Sequence, residues 1–163
     1  MKFLTIIAIL LLISGCSTRN AFEQFNMEKE QELSVSSLLS SKITSQNGEI
    51  QGVVSAIYLN EIYPQSYNNN EYFFVYIFLK DKKKMNDPKR FDELSLNLKL
   101  NNKTPIKIKQ LPHENKFTNL AFMKSDWNKY YLVAFQKDNK SSLNLVLESG
   151  QSFSAPLKYQ KGE

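Results

Sequence analysis

The 163-residue chain has one cysteine and one histidine. A single cysteine allows no intramolecular disulfide, so packing alone must hold the fold. A single histidine rules out a His-rich zinc site and any chemistry built on two imidazoles. Gly48, Gly52 and Gly150 stand isolated, so no glycine-rich loop is available to cradle a phosphate. No acidic stretch has calcium-loop spacing, and no apolar run reaches the roughly 20 residues that a bilayer-spanning helix needs. Helical periodicity is missing from Glu49 onward, which argues against a parallel sheet with its crossover helices. The net charge of +5 is modest, and no helix-turn-helix, zinc-finger or aromatic RNA-binding signature accompanies it, so nucleic acid is not an expected partner.

Catalytic constellations are equally thin. His113 lies between Pro112 and Glu114 in an expected loop, where nothing fixes a nucleophile beside it, so a solvated histidine is the expectation. Asp81, Asp87, Asp92 and Glu93 are close enough in sequence to suggest a carboxylate site of the glycosidase type. Lysines and Arg90 are interspersed among them, and a mixed-charge surface loop explains them better. The run Lys82-Lys83-Lys84 reads as a solvated face that could touch acidic glycan or lipid headgroups in a salt-sensitive way. We therefore expect no catalytic residue, no metal ligand and no bound cofactor, and read the chain as non-enzymatic.

What is present begins at the N-terminus. Lys2, an apolar run from Phe3 to Ile13, and Ser14-Gly15 before Cys16 have the three-part layout of a secretory signal peptide, too short to span and followed by polar Ser17-Thr18-Arg19-Asn20. The sequence Ile13-Ser14-Gly15-Cys16 resembles the lipobox of bacterial lipoproteins at all four positions. That resemblance implies cleavage between Gly15 and Cys16, a diacylglyceryl group on the Cys16 sulfur and acylation of the new amino terminus. Two or three acyl chains make a stable membrane anchor, since each buried methylene contributes about 0.8 kcal/mol. Ser17 after Cys16 resembles the sorting pattern of lipoproteins destined for an outer membrane, where the cell has one. The expected location is thus the cell envelope.

Residues 16–47 form the expected lipidated N-terminus and tether. Phe22, Phe25, Leu33, Leu38 and Leu39 make an irregular helical stripe, with Glu28, Lys29, Glu30 and Glu32 as good surface helix formers. The Ser-rich piece from Ser34 to Ser45 interrupts it, so the reading is a polar spacer with one short helix.

Residues 48–163 carry a strand pattern. Ile50–Leu59 is β-branched and apolar, with Gly52 a bulge or close-approach point. Tyr72–Leu79 is almost unbroken apolar sequence, the mark of a central strand covered on both faces. Leu94, Leu96, Leu98 and Leu100 alternate with polar residues, Asn101-Asn102 makes a hairpin turn, and Ile106 and Ile108 alternate with Lys107 and Lys109 in a returning strand. Phe117–Met123, Lys129–Gln136, Leu143–Leu147 and Phe153–Tyr159 supply the rest. Seven to eight short strands separated by turn signals imply an all-β antiparallel β-sandwich. Trp127-Asn128-Lys129-Tyr130-Tyr131 resembles the corner before strand F of immunoglobulin-like domains, in which a tyrosine hydroxyl bonds back to the chain. A transthyretin-like sandwich fits equally well.

The candidate binding loop is Tyr63–Tyr72, where Tyr63, Tyr67 and Tyr72 accompany Asn68, Asn69 and Asn70. Tyrosine and asparagine side by side combine rigid amphipathic area with adaptable hydrogen bonding, although tyrosines also commonly cap a core. Leu59-Asn60, Val75–Asp81 and Phe91-Asp92-Glu93-Leu94 loosely follow the spacing of the small lipoprotein of type VI secretion systems, itself a lipobox followed by a sandwich. The alternating hairpin from Leu94 departs from that family, where a helical insertion is expected. The functional expectation is a lipid-anchored module that binds a protein partner in the envelope. A surface adhesin for a host or matrix ligand and a type VI-like assembly lipoprotein are the alternatives.

Overall fold

The structure is a computed structural model that describes residues 29–80, 97–120, 125–149 and 152–162. Its first element is helix α1 (Lys29–Ser37). Glu30 and Glu32 sit in its first turn, where the helix dipole favours anions. Serines then end it by turning to the backbone. Ser34 Oγ donates to Gln31 O at 2.7 Å and contacts Leu120 O, and Ser37 Oγ accepts the Tyr58 N–H at 3.2 Å. The helix is thereby tied to the domain.

The chain continues into β1 (Leu38–Ser45), which corrects the reading of the Ser-rich stretch as part of a spacer. Leu39 and Ile43 face the core, and β1 pairs along its length with β2 (Ile50–Tyr58). The serines are accommodated because the ladder satisfies their backbone, and Ser40 Oγ meets Ser55 Oγ at 2.8 Å. The domain therefore starts well before residue 48.

A four-residue helix, α2 (Leu59–Ile62), follows, and then β3 (Glu71–Leu79), β4 (Asn97–Leu100), β5 (Lys107–Leu111), β6 (Asn128–Phe135), β7 (Ser142–Ser149), β8 (Ser152–Ser154) and β9 (Leu157–Gln160). The nine strands form one antiparallel sheet in the order β4-β7-β8-β1-β2-β3-β6-β5, with β9 also on β7. Ala155-Pro156 separates β8 from β9. Proline has no N–H to give the ladder, and at this break β8 pairs with both β7 and β1.

The sheet curls so that one face encloses a core. Val54, Ala56 and Tyr58 of β2, Phe73, Val75 and Ile77 of β3, and Tyr131, Val133 and Phe135 of β6 meet Leu143, Leu145 and Leu147 of β7 and Leu157 and Tyr159 of β9. On the opposite face of β3 a second cluster joins Ile57, Phe74, Tyr76 and Tyr130 to Leu59, Ile62, Phe117 and Leu120. Phe74 stacks on Tyr130 with centroids 5.9 Å apart and planes 2° apart. From Phe73 to Ile77 the apolar run of β3 thus has both faces buried, as expected of a central strand; each buried phenylalanine there contributes about 2–3 kcal/mol of apolar transfer.

Two further strand expectations need correction. The Asn101-Asn102 turn exists, with φ of 49° and 69° and paired bonds of 2.9 Å between Leu100 and Lys103. The chain does not return along β4, however. It crosses to β6, where Lys107–Leu111 pair with Tyr130–Ala134, while β4 pairs with β7. Phe117–Leu120 is not a strand: Thr118 N donates to Asn115 O and Leu120 N to Phe117 O, a tight turn that drops Phe117 onto the outer cluster. The remainder of that expected strand, 121–123, lies outside the described residues, as do Leu94 and Leu96.

Asn101 shows why the tight turn needs this residue. Besides tolerating positive φ, its Oδ1 accepts the Asn144 N–H at 3.0 Å, and its Nδ2 donates to Asp138 Oδ2 and Ser142 O, both at 3.2 Å. Asn101→Ala is expected to cost about 2 kcal/mol, from left-handed strain plus lost side-chain bonds. Asn101→Gly relieves only the strain, so the gap between the two variants in urea unfolding measures it.

Candidate functional site

Cys16 and Gly15 lie outside the described residues, and so do Lys82–Lys84, Asp81, Asp87, Arg90, Asp92 and Glu93. His113 is exposed, and its ring stands edge-on to Tyr130 at 5.9 Å. Among the described residues no three of His, Cys, Asp and Glu converge on a metal position, and no helix is long and apolar enough to cross a membrane.

The Tyr63–Tyr72 loop is built inward. Tyr63 and Tyr67 meet edge-on at 6.3 Å, Tyr67 lies 4.9 Å from Tyr72 and 6.3 Å from Phe117, and all three tyrosines pack against the outer cluster. Asn60 braces the loop end, donating to Asn70 O at 2.6 Å and accepting the Tyr72 N–H at 2.8 Å. Lys137 Nζ donates to Asn68 O at 2.9 Å. Asn68 and Asn69 remain exposed. Lys116 sits over the Phe117 and Tyr67 rings at 4.9 and 5.7 Å, so this corner is a packed cap with a cation on it. The structure brings the three tyrosines together as packing, and leaves Pro64, Gln65, Ser66, Asn68 and Asn69 exposed along the loop.

The turn before β6 is held by Tyr130. Tyr130 Oη donates to Ser125 O at 3.0 Å and accepts the Ser125 N–H at 3.1 Å, pinning the turn that carries Trp127.

The most conspicuous polar constellation is centred on Glu71, outside every candidate site read from the sequence. Glu71 opens β3 at 1% exposure. Its Oε1 accepts Lys161 Nζ at 2.5 Å and the Asp138 N–H at 2.9 Å, and its Oε2 accepts the Tyr58 hydroxyl at 2.5 Å. Lys161 Nζ also donates to Asp138 O. Burial alone would raise the Glu71 carboxyl, but the Lys161 ammonium, the Tyr58 hydroxyl and the Asp138 amide outweigh it and hold it below the usual glutamate range. The Asp138 carboxylate, bonded by the Lys140 amide, then Asn101, with Lys103 3.4 Å away, is held at about 2. Burial, then the bond to Glu71, pushes the Tyr58 hydroxyl well above the usual phenol range. Every oxygen of the Glu71 carboxylate is engaged within the protein, so the cluster locks the 136–141 turn and the C-terminal strand to the start of β3 and offers no free base. The sequence does carry a signal for it: Glu71 occupies the same face as Phe73, Val75 and Ile77, and a carboxylate at a core position demands a partner.

Apolar surface concentrates elsewhere, at the end of the outer face that the α1, α2 and 115–120 layer leaves bare. Trp127, Phe78, Ile50 and Phe153 are between 39% and 53% exposed. Cross-strand register relates three of them to one face: Phe78 lies opposite Val53 and Asn128, and Thr44 lies opposite both Ile50 and Phe153. Trp127 precedes Asn128 in the chain. Phe78, Ile50 and Phe153 form a band that crosses β3, β2, β1 and β8, about 14 Å at the usual strand spacing, and Trp127 stands in the turn that leads into β6. Lys42, directly opposite Val53, and Lys80, whose N–H bonds Gln51 O at 2.8 Å, flank it. A coherent band of this kind is the form that interaction surfaces take. Sequence reasoning misses it because Phe78, Ile50 and Phe153 are ordinary strand residues, and only register places them together.

No family model, no curated protein and no solved structure matches the chain.

Proposed function

We propose that this chain is a lipid-anchored, non-enzymatic domain of the cell envelope that binds a protein partner, held to the membrane through acyl groups on Cys16. The observation that carries the binding part is the exposed apolar band of Phe78, Ile50 and Phe153, with exposed Trp127 in the turn before β6. Aromatic anchors rimmed by polar residues are what partners bury at the centre of an interface, and leaving these four exposed costs solubility unless something covers them. The anchor part is supported by the four lipobox positions Ile13, Ser14, Gly15 and Cys16. The outer membrane, where there is one, is the proposed site on the strength of Ser17. In architecture we place the domain nearest the immunoglobulin-like or transthyretin-like sandwiches, supported by the meeting of β7 and β9 with β2, β3 and β6 in one core and by the Tyr130 corner. The adhesin reading has less support, since the Tyr63–Tyr72 loop spends its tyrosines on packing.

The test places a photo-cross-linking amino acid at position 153 or, separately, at 69 in cells expressing the full chain. We expect a discrete protein adduct from 153, lost when Trp127→Ser is added, and release of the chain from membranes by Cys16→Ala. Adducts confined to position 69 favour the adhesin. Retention of the Cys16→Ala variant on membranes overturns the anchor.

A further inference from the structure

We propose that the outer edge of β5 accepts an extended acidic peptide segment from a partner as an added strand. This stands on the sheet edge alone and depends on neither the lipid anchor nor the apolar band. β5 ends the strand order. One edge pairs with β6 from Lys107 opposite Ala134 to Leu111 opposite Tyr130, and Ile106 N extends the pairing to Ala134 O at 2.8 Å. The other edge has no strand neighbour among the described residues, and such an edge is a template for a further strand. Pro105 and Pro112 bracket it. Neither can donate to a ladder, so the receptive stretch is bounded at 106–111, a length of about 20 Å.

The two faces of β5 differ, and this specifies the occupant. Ile108 lies opposite Val133, so Ile106 and Ile108 share the core-facing side, yet they are 58% and 41% exposed. Lys107 and Lys109, opposite Ala134 and Leu132, take the other side. From Lys99 to His113 the chain has four lysines and no aspartate or glutamate. Lys99 is spent on Glu148 at 2.5 Å and Lys103 on Asp138 at 3.4 Å, whereas Lys107 and Lys109 have no ion pair among the described residues. An incoming strand fits if it carries apolar residues at alternate positions, extending the Ile106–Ile108 side, and carboxylates between them, facing the two lysines. A second copy of β5 fits poorly, because an antiparallel self-pairing sets lysine against lysine. The same lysines that discourage self-association therefore select an acidic partner.

The test uses the purified chain lacking its signal peptide and three end-blocked seven-residue probes. One alternates glutamate with valine, one alternates lysine with valine, and one is the glutamate peptide N-methylated at alternate backbone nitrogens. We expect saturable binding of the glutamate peptide alone, with backbone amide shifts confined to 106–111 and to the facing β6 residues, weakening as salt rises. Lys107→Glu/Lys109→Glu should reduce that affinity at least tenfold and gain binding of the lysine peptide. These side chains are exposed, and an unchanged melting curve shows that the variant is folded. Absence of saturable binding, equal binding of the N-methylated peptide, or insensitivity to the charge reversal overturns the proposal. So does concentration-dependent dimerisation that protects the 106–111 amides, which would assign the edge to a second copy.

Discussion

Gly52→Ala is expected to destabilise the domain by about 3 kcal/mol or more, at the upper end of what overpacking costs, and to lower its thermal midpoint by about 10 °C. Gly52 sits in β2 opposite Leu79, beside the point where the register with β1 slips between Ile43 and Thr44. A Cβ placed there would lie 2.1 Å from Phe78 O and 3.1 Å from Leu79 Cα. Both are backbone atoms of the neighbouring strand, so no rotamer change can relieve the overlap. The strands must separate, breaking ladder bonds at the centre of the sheet and disturbing Phe73–Ile77, which both clusters use. Gly52→Val, with a branched side chain at the same place, should leave the chain unfolded at 25 °C. Circular dichroism melts of the two variants check this, with Gly48→Ala as the control. Gly48 needs its φ of 83° in the β1–β2 turn, but a Cβ there meets nothing within 4 Å, so it should lose only about 1 kcal/mol of backbone strain. A Gly52→Ala variant no less stable than Gly48→Ala would refute the close-approach account.

Gly52 is also an example of what the order of amino acids makes legible by itself. A glycine inside a β-branched run has few explanations, and bulge and close approach both apply. The strands β3, β6 and β7 are equally readable, because two-residue alternation or an unbroken apolar run leaves little choice of element. Pairing is harder. The Asn101-Asn102 turn predicts its own geometry, but where the chain goes after Lys103 depends on which edge has room. The free side of β6 is decided by residues more than twenty positions downstream. β1 is hidden because Ser40, Ser41 and Ser45 satisfy themselves through the ladder and through cross-strand contacts, which composition does not report. Of the candidate loop, the clustering of tyrosines is readable and their inward packing is not, since Phe117, which Tyr67 meets, lies 50 residues away. The apolar band and the β5 edge are properties of register, and register between distant strands is set by the whole sheet.

The buried charge cluster is the extreme case of that non-locality: Glu71 binds groups 13, 67 and 90 residues away. Its removal carries the second large effect. Glu71→Ala should cost about 3–5 kcal/mol, the usual loss when one partner of a buried pair is deleted, because the Tyr58 hydroxyl and the Asp138 N–H lose their acceptor together. Lys161→Met should cost about 3 kcal/mol, since the ammonium is partly exposed and the carboxylate keeps two other donors. The two variants separate by their response to acid. In the natural protein the folded pKa values of Glu71 and Asp138 are depressed, that of Asp138 to about 2. Their contribution is therefore fully present above the ordinary carboxyl range near pH 4 and drains away as pH falls toward 2, where the folded state must take up protons it resists. Deleting the Lys161 ammonium removes the largest influence that lowers the Glu71 carboxyl, so its folded pKa should move up toward the unfolded value. The acid-labile stability that Glu71 contributes then shrinks, so Lys161→Met should lose less stability than the natural protein as pH falls from 5 to 3. Both should be flat from pH 7 to 5. Urea midpoints measured at pH 7, 5 and 3 decide the matter. A Lys161→Met variant that weakens on acidification in parallel with the natural protein would mean that Glu71 does not depend on this cation, and the C-terminal strand would then be held by the β7–β9 ladder, the Tyr159–Ala56 bond and the core packing of Leu157 and Tyr159.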